Sequence, residues 1–393
     1  MIKDITSNKR TRIYTVLITL TFLFHVFNNL QINESLKIFH LFAAAAIGAG
    51  FILSKRASLQ TVNVFKMLIA WTAFSSLLSP VESFSMSFIK FLIVVTSVMF
   101  ITRIPMKGLV YTINCIIPLV LVILYRHYFS EPVYRYQGFY EDPNYFCTTL
   151  LALYFYIQLL WIESKRMWIR AALVVEILLI ALLVSFSISR TGMACMIVMT
   201  LIFFSDVFRK HKVLAVLGGV LFAVVLLGFW GDYVQRAIEG YTVRETENSD
   251  TMSSAASLRW EISMRGISYI FSHPLYLLQG IGFGTYSEAG VLEGWHANTS
   301  HIDHNTITSC LSEQGLVGFT LLARFFYLLF VRIVRNEYLG QVGIKITCLC
   351  TLGVFFMFST SINQSTYLPF WFIVFTLVSL AETKPICGID KKN

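Results

Sequence analysis

A histidine and an asparagine, nine further residues, a glycine, two residues and a second glycine (His304, Asn305, Gly315 and Gly318) stand where the polar, histidine-rich segment WHANTSHIDHNT runs into a long apolar stretch. A histidine at a boundary between water and an apolar phase is a candidate general base, because its unperturbed pKa of about 6.5 leaves it largely neutral at physiological pH. An interfacial histidine is also commonly a solvated, hydrogen-bonded loop residue. Four histidines crowd this part of the chain, His273, His296, His301 and His304, and only His304 stands in register with the two glycines. The glycines read first as packing residues, since small side chains on a membrane helix let a neighbouring helix approach closely.

The second group with chemical potential is a set of arginines. Between Asp232 and Asp303 lies the one long hydrophilic segment, whose cations are Arg236, Arg244, Arg259 and Arg265, with no lysine. Arg126, Arg135 and Arg190 stand in other short polar stretches. A guanidinium binds phosphate with a planar fork, whereas an ammonium acts as a point charge. The bias therefore points to a phosphate-rich ligand, although Arg190, in the very short turn of SFSISRTGMA, also has the routine reading of an interfacial anchor. The glycine series Gly280, Gly282, Gly284 is not a nucleotide fingerprint, because the strand-to-helix context is missing.

The elements that must hold these residues are membrane helices. With 56% hydrophobic and 13% charged residues and a mean hydropathy of +0.67, the chain has too little polar surface for a soluble globule. About 20 apolar residues span a bilayer, which predicts spans near 12–30, 37–53, 61–79, 84–101, 108–125, 143–162, 168–188, 191–208, 213–231, 305–331, 341–359 and 366–381. The expected fold is thus an all-α integral membrane protein of about 12 transmembrane helices. It forms a single polytopic domain over 1–393, with one extracytoplasmic (periplasmic) loop, 232–304, between the ninth and tenth helices. Within that loop, Ala255 to Ser272 reads as a helix ended by His273-Pro274, with Leu258, Ile262 and Tyr269 on its apolar face.

Lys and Arg in short loops mark the cytoplasmic side. They occupy every second loop here (Lys55 and Arg56, Arg103 and Lys107, Lys165 and Arg166, Arg209 to Lys212, Arg332 and Arg335), placing both termini inside and the 232–304 loop outside. The net charge of +9 is then a matter of topology rather than of nucleic acid, for which no soluble basic domain exists. The N-terminus reads as an uncleaved signal anchor. Six of the seven cysteines fall within spans and Cys387 in the tail, which implies neither a disulfide framework nor a thiolate metal site. Lys90 and Glu176 lie deep in their spans and read either as parts of a lipid-phosphate site or as members of structural ion pairs. Asp142 followed by Pro143 fits a helix cap with proline at the first helical position.

Taken together these motifs resemble the bacterial O-antigen ligase and polymerase superfamily, whose signature is a His, a small amide or hydroxyl residue, nine others and Gly-x-x-Gly. The resemblance runs from about Arg135 to Gly318. It includes Arg135 with Gly138 and Asp142-Pro143-Asn144, the Ser189-Arg190-Thr191-Gly192 element, and the loop helix with Arg259, followed by Pro274 and the glycine series. It implies a glycosyltransferase-C-like, inverting enzyme without cofactor or metal at the outer face of the bacterial cytoplasmic (inner) membrane. The donor would be an undecaprenyl-pyrophosphate-linked glycan and the acceptor a sugar hydroxyl on another glycan or a lipid core. A chain-length regulator and a flippase would be its partners. His304 would position or deprotonate the acceptor hydroxyl, and Arg190 and Arg259 would stabilise the pyrophosphate, with Arg135, Asn144, Arg265 and Asn305 also contacting substrate. The Gly138 to Asn144 element leans toward polymerisation of repeat units, with ligation as the alternative. A flippase or transporter would instead be expected to show internal repeats and helices broken near mid-membrane, and the sequence displays neither.

Overall fold

The computed structural model describes residues 9–27, 30, 37–53, 60–79, 86–130, 135–205, 252–292, 303–337, 339 and 343–382, with the backbone alone for 252–260 and 291–292. Its helices in chain order are α1 (Lys9–Val26), α2 (Ile38–Phe51), α3 (Gln60–Leu77), α4 (Met86–Met99), which tightens into a 3₁₀ turn over Phe100–Arg103, α5 (Met106–Ser130), α6 (Pro143–Glu163) and α7 (Met167–Phe186). They continue with α8 (Arg190–Phe203), α9 (Met252–Ser272), α10 (Pro274–Gln279), α11 (Tyr286–Leu292), α12 (Thr306–Arg335), α13 (Ile344–Ser359) and α14 (Leu368–Ala381). There is no strand among the described residues, and the protein is an all-α membrane protein. A helix occupies every expected span except 213–231, which lies outside the described residues together with Arg236, Arg244, His296, His301 and the C-terminal lysines. Among the described residues five helices (Met86–Arg103 counted as one, α5, α6, α7 and α12) are long and apolar enough to cross a membrane, and α2, α8, α13 and α14 are apolar but shorter.

A helix that is apolar all round belongs in the interior, whereas one facing lipid keeps apolar residues at its surface. The runs of α6 and α14 are of the first kind: almost every residue from Phe146 to Leu160 and every residue from Leu368 to Ala381 is buried. Helices α7 and α8 are of the second kind, with Val175 and Ile197 exposed. Polar ties then collect at two ends of the bundle. At one end Glu382 accepts from Thr61 and sits 3.8 Å from Arg332, and Lys107 faces Glu163 at 3.9 Å. At the other, tyrosines do the work: Tyr140 donates to the His25 carbonyl, Tyr145 to the Asn363 carbonyl and Tyr367 to the Tyr145 carbonyl. Glu176 has no ion pair among the described residues, and its Oε2 is buried without a hydrogen-bond partner.

The chief departure from expectation is inside α12. The apolar run predicts one continuous helix, but Gly315 takes φ 65°, ψ −171° and breaks it. The carbonyls that the break releases are taken up by two other elements. The amides of Ile281 and Gly282 donate to Ser312 and Glu313 at 3.0 and 2.9 Å. From α3, Ser75 donates to Glu313 O and the Trp71 indole to Gln314 O. Gly280, Gly282 and Gly284, all at positive φ, form the loop that docks against this break. Gly315 is thus a backbone requirement before it is a packing residue. Gly318 fits the packing reading, since a Cβ there would lie 2.4 Å from Gln314 Cβ and 3.2 Å from Trp71 Cδ1.

The break makes a stability prediction. Gly315→Ala and Gly343→Ala both place an alanine at positive φ, which costs about 1–2 kcal/mol, but only at Gly315 would the new methyl meet backbone, 2.3 Å from Leu278 O, whereas nothing lies within 4 Å at Gly343. Thermal unfolding of the purified protein should show the larger loss for Gly315→Ala. Equal losses would mean that the docked loop does not fix the break.

Candidate active site

The chain enters α12 through Asp303, His304 and Asn305. Asn305 is the N-cap residue, its side-chain oxygen accepting from the Ile307 and Thr308 amides at 2.8 and 3.4 Å, as expected of a short amide before a helix. That oxygen is therefore committed to the helix. Asp303 is fully buried: Oδ1 accepts from the Ser263 hydroxyl at 2.8 Å and the Asn305 amide at 3.0 Å, and Oδ2 accepts from the Thr308 hydroxyl at 2.7 Å. Burial pushes the Asp303 carboxyl above its ordinary range, against the opposing pull of these hydrogen bonds and of neighbouring His304. His304 itself is exposed, between two anchored side chains. Ser263 lies on α9, one turn beyond Arg259, so the same contacts hold the loop helix against the start of α12. Arg265 pairs with Glu261 one turn earlier on the same helix. His273 packs at a tilt against Tyr269 and Tyr276, ring centroids 4.3 and 5.8 Å away, at the junction of α9 and α10, a structural place.

Arg190 and the asparagine of the Asp-Pro-Asn element come together elsewhere. Asp142 caps α6 by accepting from the Asn144 amide at 2.6 Å, with Pro143 at the first helical position, so the capping reading holds. Ser189 caps α8 by accepting from the Gly192 amide, and its hydroxyl donates to Asn144 Oδ1 at 2.7 Å, joining the two helix starts. Asn144 is buried in this tie. Arg190 is the first residue of α8 and exposed. A cation at the positive end of a helix is unfavourable by about 0.3–1 kcal/mol, so helix stability does not account for it. The turn before it is strained as well: Ile188, a β-branched residue, takes φ 52°. The buried Nε of Arg135 has no hydrogen-bond partner. A guanidinium nitrogen left in that condition is a donor waiting for an acceptor.

A segment that sequence reasoning passed over links the two groups. Asn363 Nδ2 donates to Ser309 Oγ at 3.0 Å while its carbonyl accepts from Tyr145. Gln364 donates through its amide to Thr306 Oγ1 at 2.8 Å and through Nε2 to Thr148 Oγ1 at 3.2 Å. The Asn-Gln-Ser string in an otherwise apolar stretch was the available signal. Alongside, between the first half of α12 and helices α13 and α14, is a cavity of about 250 Å³. Its wall is apolar (Phe319, Phe326, Phe370, Trp371) apart from a few groups that include Thr306, Ser309 and Glu313. Among the described residues no cluster of His, Cys, Asp and Glu has the form of a metal site.

Residues 176–323 match the family model described as O-antigen ligase. This stretch is an O-antigen ligase domain by that match, which supports the resemblance to the O-antigen ligase and polymerase superfamily. No curated protein matches the chain. The O-antigen ligase domain runs from the middle of α7 into α12, and so takes in Arg190, Arg259, His304, Gly315 and Gly318, whereas Arg135, Asn144 and the Asn363-Gln364 bridge lie outside it. The matched domain supports an O-antigen ligase or polymerase type of activity on a lipid-linked glycan, in a membrane.

Proposed function

We propose that the protein polymerises undecaprenyl-pyrophosphate-linked oligosaccharide repeat units at the outer face of the bacterial cytoplasmic membrane, with both termini inside. The observation that supports the reading is the hydrogen-bonded bridge of Asn363 and Gln364, which joins the first turn of α12, next to exposed His304, to Thr148 one turn into α6, the helix whose start is tied to that of Arg190-bearing α8. His304 takes the proton from the acceptor hydroxyl as that oxygen attacks the anomeric carbon. The bond to the pyrophosphate oxygen breaks, and charge develops on the leaving group. Arg190 and Arg259 meet that charge with bidentate hydrogen bonds, as preorganised donors do most for a developing anion. The unpartnered Nε of Arg135 supports a further anion contact at the same end. The apolar cavity beside Thr306 suits the isoprenoid part of the donor.

Ligation to a lipid core remains the alternative within the superfamily, and the polymerase reading rests on the Gly138 to Asn144 element. The discontinuity at Gly315 is not a transporter's ion site, because the Ser312, Glu313 and Gln314 carbonyls are occupied by Ile281, Gly282, Ser75 and Trp71. A half-helix end already satisfied by protein has no carbonyl to offer an ion. Lipid-linked oligosaccharides extracted from a deletion strain test the choice: accumulated single repeats indicate a polymerase, accumulated long chains a ligase, and an unchanged profile rejects both.

A further inference from the structure

Asp303 is a buried carboxyl group that joins two pieces of the site, the external helix α9 and the first turn of α12. Its three acceptances come from different places: Ser263 on α9, Thr308 on the first turn of α12, and the backbone amide of Asn305. His304 therefore sits between a side chain locked from three sides and a residue locked as a helix cap. Arg259 precedes Ser263 by four residues on α9, so the position of that arginine's backbone relative to His304 is set through a single carboxylate. An apolar contact would hold the two helices together but would leave them free to slide. Hydrogen bonds of 2.7–3.0 Å from three directions fix a register. The second hydrophobic cluster, Ile262, Ile270, Ile281, Tyr286 and Ala289, supplies the adhesion separately, so loss of the carboxylate need not release α9.

We propose that Asp303 is a positioning residue for the transfer reaction, tying the external helix α9 to the start of α12 so that Arg259 and His304 are held in mutual register. The role rests on the functional reading above, and acts through geometry rather than through contact with substrate. Misplacement by about 1 Å of groups that must meet one reacting centre costs on the order of 10²-fold in rate. The cost falls on kcat, because donor binding through the lipid and the other arginines is untouched.

The test uses the full-length protein in lipid nanodiscs, with nitroxides placed through genetically encoded residues at exposed Ser268 on α9 and exposed Thr360 after α13. Asp303→Ala should broaden the distance distribution between the labels and lower kcat by about 10²-fold with the donor KM little changed. Ser263→Ala should do the same in smaller measure, and the double variant should be no worse than Asp303→Ala alone, as expected of two partners in one contact. If Asp303→Ala does not fold, Ser263→Ala carries the same two measurements. A loss of turnover with an unchanged distance distribution overturns the tie. A broadened distribution with unchanged turnover overturns the need for register. Activity of His304→Ala, measured alongside, separates the two levels: if that variant is active the functional reading has failed, whatever Asp303 does to the helix.

Discussion

Replacing His304 with alanine leaves a protein that inserts and accumulates like the wild type but no longer extends the glycan. The side chain is exposed, so its removal opens no cavity, and the cap at Asn305 and the carboxylate at Asp303 that hold the local backbone stay in place. What is lost is the base that takes the acceptor proton, worth about 10²–10⁴-fold in rate. His296→Ala and His301→Ala in the same polar segment remain active, since neither stands at the head of α12 in the His-Asn-x9-Gly-x-x-Gly register. Near wild-type glycan from a well-expressed His304→Ala strain would leave the motif with the helix-breaking and packing roles of its glycines and nothing more.

The second large effect is expected at the arginines. Arg190→Lys and Arg259→Lys keep the charge and lose the fork, and a charge-assisted hydrogen bond is worth about 1.5–3 kcal/mol, or roughly 10–100-fold in rate. If both guanidinium groups bind the one pyrophosphate, the double variant loses less than the product of the two single losses, because each single change already disturbs the contact it shares. Turnover of a lipid-linked donor by purified protein reads this directly. Near-normal turnover of the double lysine variant would remove the pyrophosphate assignment, and strictly multiplicative losses would place the two arginines on separate groups.

Much of the scaffold was legible because lipid allows so few solutions: a run of apolar residues of sufficient length can only be a helix there. The external helix was legible from its length and from the proline at 274 that ends it, and the cap at Asp142 from two adjacent residues. What escaped the sequence depends on partners far away in the chain. Gly315 looks the same in a continuous helix as in a broken one; the difference lies in Ile281, Gly282, Trp71 and Ser75, which take up the freed carbonyls. A stripe did exist on α3 and just beyond its end, where Trp71, Thr72, Ser75, Ser76 and Ser79 follow helical spacing in an apolar segment, and such a stripe marks a polar seam. Asn363 and Gln364 escaped for the same reason, since their partners Ser309 and Thr148 lie 54 and 216 positions away in the chain. Asp303 was hidden by its neighbour, a histidine with a more obvious chemistry.

The most direct measurement is reconstitution of the purified protein in liposomes with an undecaprenyl-pyrophosphate-linked repeat unit as sole donor and acceptor, scored for both glycan length and released undecaprenyl pyrophosphate. The account predicts longer glycan and released pyrophosphate carrier in step with one another, both absent with His304→Ala. Donor that crosses the bilayer with its glycan length unchanged, or longer glycan made equally well by the His304→Ala protein, would contradict it.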